Sequence, residues 1–178
     1  MKKSILSILL SFILLSIMNT YTMPQMSRIL MDANYTFYQQ PILDVRLLGY
    51  DVKDVEELFY HLGQEGRQIY QNQQLMLDIF YPFFFLIGFA SFFLQMITQS
   101  IGSLKLAKVG FWLTVFSSFT DWSENLILFL QLKNYPNLNS IAIQFCNGFT
   151  MTKLILIFVV HILFLFFGFL YFKKYRHG

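Results

Sequence analysis

The sequence predicts an all-α membrane protein: a four-transmembrane-helix bundle with an extra extracytoplasmic amphipathic helix between spans one and two. Three observations carry that expectation. Charged residues make up 13% of the 178 positions and hydrophobic residues 56%, where a soluble domain carries about 25% charge. Mean hydropathy is +0.51, and the apolar residues gather into four long runs rather than into short periodic patches. Lys and Arg cluster beside alternate ends of those runs, as in chains that cross a bilayer repeatedly.

The spans fall at about 4–20, 79–97, 110–132 and 154–172, in a single domain with a helical region over 21–78. Such runs satisfy their own backbone groups as helices in lipid, and they lack the period-two alternation of a barrel strand. The third covers roughly 33 Å at the helical rise, enough for a hydrocarbon core of about 30 Å. The first, "MKKSILSILLSFILLSIM", also fits a secretory signal, but bulky residues in "MNTYTMPQM" replace a small-residue cleavage site, so a retained helix is the expectation.

Orientation follows from the basic residues. Lys2 and Lys3, Lys105 and Lys108, and Lys173, Lys174 and Arg176 all fall on one side of a chain that crosses four times, which puts both termini in the cytoplasm. Asp44, Asp51, Asp54, Glu56, Glu57, Glu65 and Asp78 fall on the other side.

In the outer region, "YDVKDVEELFYHLGQEGR" offers Asp51 as N-cap with Asp54 three residues on. Val55, Leu58, Phe59 and Leu62 then recur at helical spacing and form one apolar face. Gly63 and Gly66 interrupt or end this helix, which is expected to lie on the membrane surface or to cap the bundle. A second helical stretch, "RQIYQNQQLMLDIF", leads into span two, with Pro82 early enough to be tolerated. The sequon at Asn34–Thr36 matters only in a eukaryotic secretory route.

The informative departure from this pattern is "FTDWSENLIL" in span three. Asp121 and Glu124 are three residues apart and Asp121 and Asn125 four, so all share one helix face. A charge at the bilayer midplane costs at least about 2.5–3.5 kcal/mol. The stripe is therefore expected to face the bundle interior or a wet cavity. His161 in span four, counted from the outer ends of two antiparallel spans, is expected at a depth similar to Glu124. Lys153 at the start of span four reaches inward along its stem. Asp78 opens span two, with Arg67 and Tyr70 before it. Arg67 and Asp78 are expected to share a face without touching, so that another helix must bridge them.

Three readings stay open. Such residues fix packing through interhelical hydrogen bonds of about 0.6–2 kcal/mol, mark a ligand, proton or substrate site, or hold a metal. No metal is expected, because one His and two carboxyls come without a His-x-x-x-His or Glu-x-x-His pair. No cofactor is expected either: His61 lies outside and His177 in the tail, so bis-histidine haem ligation fails. P-loop, Rossmann, zincin and Ser-hydrolase signatures are absent. Lone Cys146 forms neither an intrachain disulfide nor a thiolate cluster. No basic block suggests nucleic acid.

The run of "LGQEGRQIY", then Asp78, then "DWSEN", then "TK" at Thr152 and Lys153 resembles an uncharacterised family of small four-span, mainly bacterial, integral membrane proteins. The resemblance covers about two-thirds of the chain, from about residue 50 onward. It implies a four-helix membrane fold and directs attention to Arg67, Tyr70, Asp78, Asp121, Glu124, Asn125 and Lys153. It implies no activity.

The leading expectation is a non-enzymatic bundle whose polar cluster fixes helix packing and binds a lipophilic small molecule or a partner helix. The alternatives are an intramembrane lipid-modifying enzyme, with Asp121, Glu124 and His161 as acid–base groups, and an accessory subunit of a larger membrane complex. Membrane lipids and other membrane subunits are the expected partners.

Overall fold

The computed structural model describes residues 2–34 and 42–176. Tyr35 and Thr36 of the sequon, and His177, lie outside the described residues. All regular structure among the described residues is helical. Helix α1 spans Lys2–Ile17 and passes through a π-turn, Met18–Thr22, into α2, Met23–Asp32. A 3₁₀ turn, Leu43–Val45, precedes α3, Val52–His61. Helix α4, Gly63–Ile69, passes through a second π-turn, Tyr70–Gln74, into α5, Leu75–Thr98. The last two helices are α6, Leu104–Asn134, and α7, Ser140–Arg176.

Among the described residues, three helices are long and apolar enough to cross a membrane: Ile5–Asp32, Gly63–Thr98 and Ser140–Arg176. Helix α6 is not among them. At 31 residues it has the length, about 46 Å at the helical rise. Its buried polar residues, including Ser117, Ser118, Asp121, Glu124 and Asn125, pull its hydropathy down.

The long helices pack in the order α1, α5, α6, α7, each mainly on its neighbour. Ile8 of α1 sits on Gly88 of α5, so closely that a Cβ at Gly88 would lie 2.6 Å from Ile8 Cγ1 and 2.9 Å from its backbone nitrogen. Further along, the two π-turns touch, which makes α1 and α5 antiparallel. In each π-turn an N–H reaches five residues back, Met23 to Met18 and Leu75 to Tyr70. Such bulges widen a helix locally and often mark functional sites.

At one end, Lys174 Nζ donates to Gln99 O at 3.0 Å and Tyr175 OH to Gln99 Oε1 at 3.3 Å, tying the end of α7 to the α5–α6 turn. An aromatic core fills this half, with Phe85, Phe89, Phe92, Phe93 and Phe167 buried.

The other half is closed by α3. Asp51 caps it by accepting from Asp54 N at 2.9 Å, while Asp54 Oδ2 accepts from Asp51 N at 2.7 Å. Leu62 ends the helix because Gly63 turns left-handed, with φ at +60°. The buried face of α3, Val55, Leu58 and Phe59, shares one apolar cluster with Leu128 and Leu132 of α6 and Ile143 of α7. Helix packing thus sorts the molecule into two apolar cores with the polar residues of α6 between them.

Large apolar side chains also cover the outside. On α7, Ile155, Phe158, Leu165, Phe169 and Phe172 are exposed, as are Leu6, Leu9 and Ile13 on α1. A surface this apolar far exceeds what a soluble monomer presents.

Candidate functional site

The centre of the molecule is an ion pair between neighbouring helices. Lys153 of α7 lies 2.6 Å from Glu124 Oε2 and 3.3 Å from Asp121 Oδ1, both on α6. All three are buried: Glu124 is 0% exposed, Asp121 2% and Lys153 5%. Spacing explains the geometry. Asp121 and Glu124 stand on one α6 face, and one ammonium with three donors fits between them.

Both carboxyls have further ties. Thr150, one turn before Lys153, donates to Glu124 Oε1 at 2.5 Å. Tyr50 OH meets Thr150 Oγ1 at 3.0 Å, and burial pushes that phenol well above its ordinary range, so it serves as a neutral partner. Asn147, a turn earlier on α7, accepts from Tyr50 N at 3.1 Å. Cys146 is buried and donates weakly to Glu124 O at 3.6 Å.

Asn125 links α6 to α5. Its amide donates to Asp121 Oδ1 and to the backbone carbonyl of Asp78, each at 3.3 Å. Its Oδ1 is buried without a hydrogen bond. Trp122 adds a parallel tie, donating to Ile79 O at 3.0 Å. The α6 stripe therefore faces its neighbouring helices on both sides.

A cleft of about 220 Å³ opens onto this cluster. Asp44, Asp78, Asp121 and Lys153 supply its polar wall. Leu15 and Met18 from the α1 side, Ile42, and Leu154 and Ile157 of α7 supply the apolar one. Tyr81 and Asn19 also line it. Asp78 is 4% exposed, yet its carboxyl makes no hydrogen bond or ion pair among the described residues.

Comparison with protein-family models, curated proteins and solved structures finds no match for this chain. The site stands on its own geometry.

Of the residues singled out from sequence, the structure brings Asp78, Asp121, Glu124, Asn125 and Lys153 together. Tyr70 stands beside them. It donates to Asp44 Oδ1 at 3.1 Å and accepts from Leu43 N at 2.9 Å, pinning the 3₁₀ turn against the helices. Arg67 serves a different purpose: its Nη1 donates to Phe59 O at 2.6 Å and its guanidinium covers the Tyr135 ring at 4.4 Å, clamping α3. The expected bridge between Arg67 and Asp78 is absent among the described residues.

His161 does not join the carboxyls. Its Nδ1 pairs with Ile157 O at 2.8 Å, and Phe89, Phe85 and Phe12 surround the ring at 5.0, 5.9 and 6.1 Å. Glu124 is level with Thr150 and Lys153, and His161 lies eight residues beyond Lys153, about 12 Å along the helix. Helix α7 begins at Ser140, well before the apolar run at 154–172, so depth counted from that run misplaces the register.

Sequence reasoning passed over Asp44, Tyr50 and Thr150. Asp44 carried a signal, a lone acid in "PILDVRLLG" flanked by apolar residues. Nothing local announced Tyr50 or Thr150, whose partners are about a hundred and about twenty-five residues away in sequence.

Proposed function

We propose that this chain is a four-span integral membrane protein whose central cluster fixes the helices and binds a lipophilic small molecule. The observation that carries the reading is the cleft itself: buried charged groups and aliphatic side chains line one space. Binding sites of small molecules combine mostly apolar lining with a few placed polar groups in this way. Within a bilayer, ionisable side chains face the protein interior or a cavity and mark function.

Helix α6 serves as the remaining span. Packed between α5 and α7, it turns its polar stripe toward protein rather than lipid, which removes the objection of low hydropathy. The contact of Lys174 and Tyr175 with Gln99 gathers the end of α5, the Lys105 and Lys108 start of α6 and the basic end of α7 on one side, and antiparallel α1 adds Lys2 and Lys3 there. We assign that side to the cytoplasm. The amphipathic helix α3 then caps the extracytoplasmic end, and membrane lipids cover the exposed Phe and Leu side chains of α1 and α7.

The cluster acts as a binding wall rather than an acid–base pair. The enzymatic reading asked for His161 beside a carboxyl, and His161 is instead enclosed by phenyl rings.

Photolabelling tests the reading. Purified chain in neutral lipid nanodiscs, treated with an alkyl alcohol carrying a diazirine in its chain, is expected to be labelled at Leu15, Leu154 or Ile157. Leu154→Trp, which fills the cleft, is expected to suppress that labelling. Labelling confined to the outer face of α7, at Phe158, Leu165 or Phe169, would contradict the proposal.

A further inference from the structure

We infer that the ligand of this cleft carries a cationic head: it is a lipophilic amine, seated with its ammonium against Asp78. The inference rests on the binding role proposed above and specifies its chemistry.

The first support is a charge count. Among the described residues, Asp44, Asp78 and Asp121 line the cleft, against Lys153 as the single basic residue on that wall. Lys153 is already committed, at 2.6 Å to Glu124 and 3.3 Å to Asp121. Among the described residues, the hydrogen bond that Asp44 receives comes from the neutral hydroxyl of Tyr70. Arg46 is buried nearby but does not line the cleft. The wall thus holds more carboxyls than cations.

The second support is independent of the count. Asp78 is 96% buried, lines the cleft and has no partner for its carboxyl among the described residues. Buried carboxyls are ordinarily paired or hydrogen-bonded. Its backbone carbonyl is engaged by Asn125, so the unused acceptors are those of the side chain. An ammonium donates without accepting and matches a wall of acceptors. A phosphate or carboxylate head would add acceptors to a wall already rich in them, and an alcohol brings one donor where an ammonium brings several.

Size and shape fit. Drug-sized ligands occupy pockets of about 300–1,000 Å³, and this cleft is about 220 Å³. It holds a compact head and the start of a chain. The rest of the chain leaves along Leu154 and Ile157, beside the exposed apolar face of α7. Tyr81 also lines the cleft and brings an aromatic ring of the kind that attracts a cation.

The experiment uses the full chain in nanodiscs of neutral phosphatidylcholine and three diazirine amphiphiles of equal chain length, with ammonium, hydroxyl or sulfate heads. The ammonium probe is expected to label the cleft residues about tenfold more than the hydroxyl probe, a difference of about 1.4 kcal/mol, and the sulfate probe least. Asp78→Asn is expected to lower ammonium labelling to the level that the hydroxyl probe gives on the unmodified chain. The head-group comparison on the unmodified chain decides the question even where Asp78→Asn fails to fold. Equal or stronger labelling by hydroxyl or sulfate overturns the cationic head and leaves the binding role standing. Cleft labelling by none of the three defeats the binding role, and the inference with it.

Discussion

Lys153 and Glu124 close to 2.6 Å across the α6–α7 interface, with both side chains buried. Taking either charge out of water costs several kcal/mol, and only close pairing with further hydrogen bonds offsets it. Glu124 has those bonds through Thr150. Asp121, at 3.3 Å, is the looser partner.

That difference predicts an order of effects. Asp121→Asn retains an oxygen for Lys153 and Asn125, and its cost is expected near 1 kcal/mol. Glu124→Gln breaks the closest charge contact in a fully buried place, and its cost is expected at about 3 kcal/mol. Thermal unfolding of both variants in one detergent checks the order. A costlier Asp121→Asn would contradict it.

The α1–α5 contact makes a steric prediction. A Cβ at Gly88 meets Ile8 at both side chain and backbone, so Gly88→Ala is expected to destabilise by about 1–3 kcal/mol through overpacking. Ile8→Ala removes the side-chain clash but not the backbone one, so the double variant recovers only in part. Full recovery would mean that the backbones are not in contact. Unfolding midpoints of the two single variants and the double decide it.

Topology is open to chemical labelling. In a Cys146→Ser background, Ser103→Cys in the α5–α6 turn and Lys173→Cys are expected to react with an impermeant thiol reagent only from the cytoplasmic side. Glu57→Cys on α3 is expected to react only from the opposite side. Reaction of Ser103→Cys and Glu57→Cys from one side would remove α5 or its partners as spans.

The sequence announced local features well. The Asp51 and Asp54 reciprocal cap, the end of α3 at Gly63 and the shared face of Asp121, Glu124 and Asn125 all follow from spacing within one helix. So does the inward reach of Lys153, because a lysine at the edge of an apolar run has only its own helix face to follow.

What spacing does not carry is register between helices. His161 has the right distance from an apolar boundary and the wrong position along α7, because helices continue past the apolar residues that mark them. Asp44 and Tyr50 come to the cluster through chain reversals that no local pattern encodes. The π-turns were equally hidden: a bulge of one residue arises from the fit of α1 against α5, not from composition.

The measurement that tests the account most directly is the unfolding stability of Lys153→Met alone and combined with Asp121→Asn and Glu124→Gln. Removing only the ammonium leaves two carboxyls buried without a counter-charge, and a loss of about 3–5 kcal/mol is expected. Neutralising the carboxyls in the same chain is expected to restore most of that loss. A small effect of Lys153→Met, or a triple variant no better than the single, would show that the charges do not meet inside the bundle.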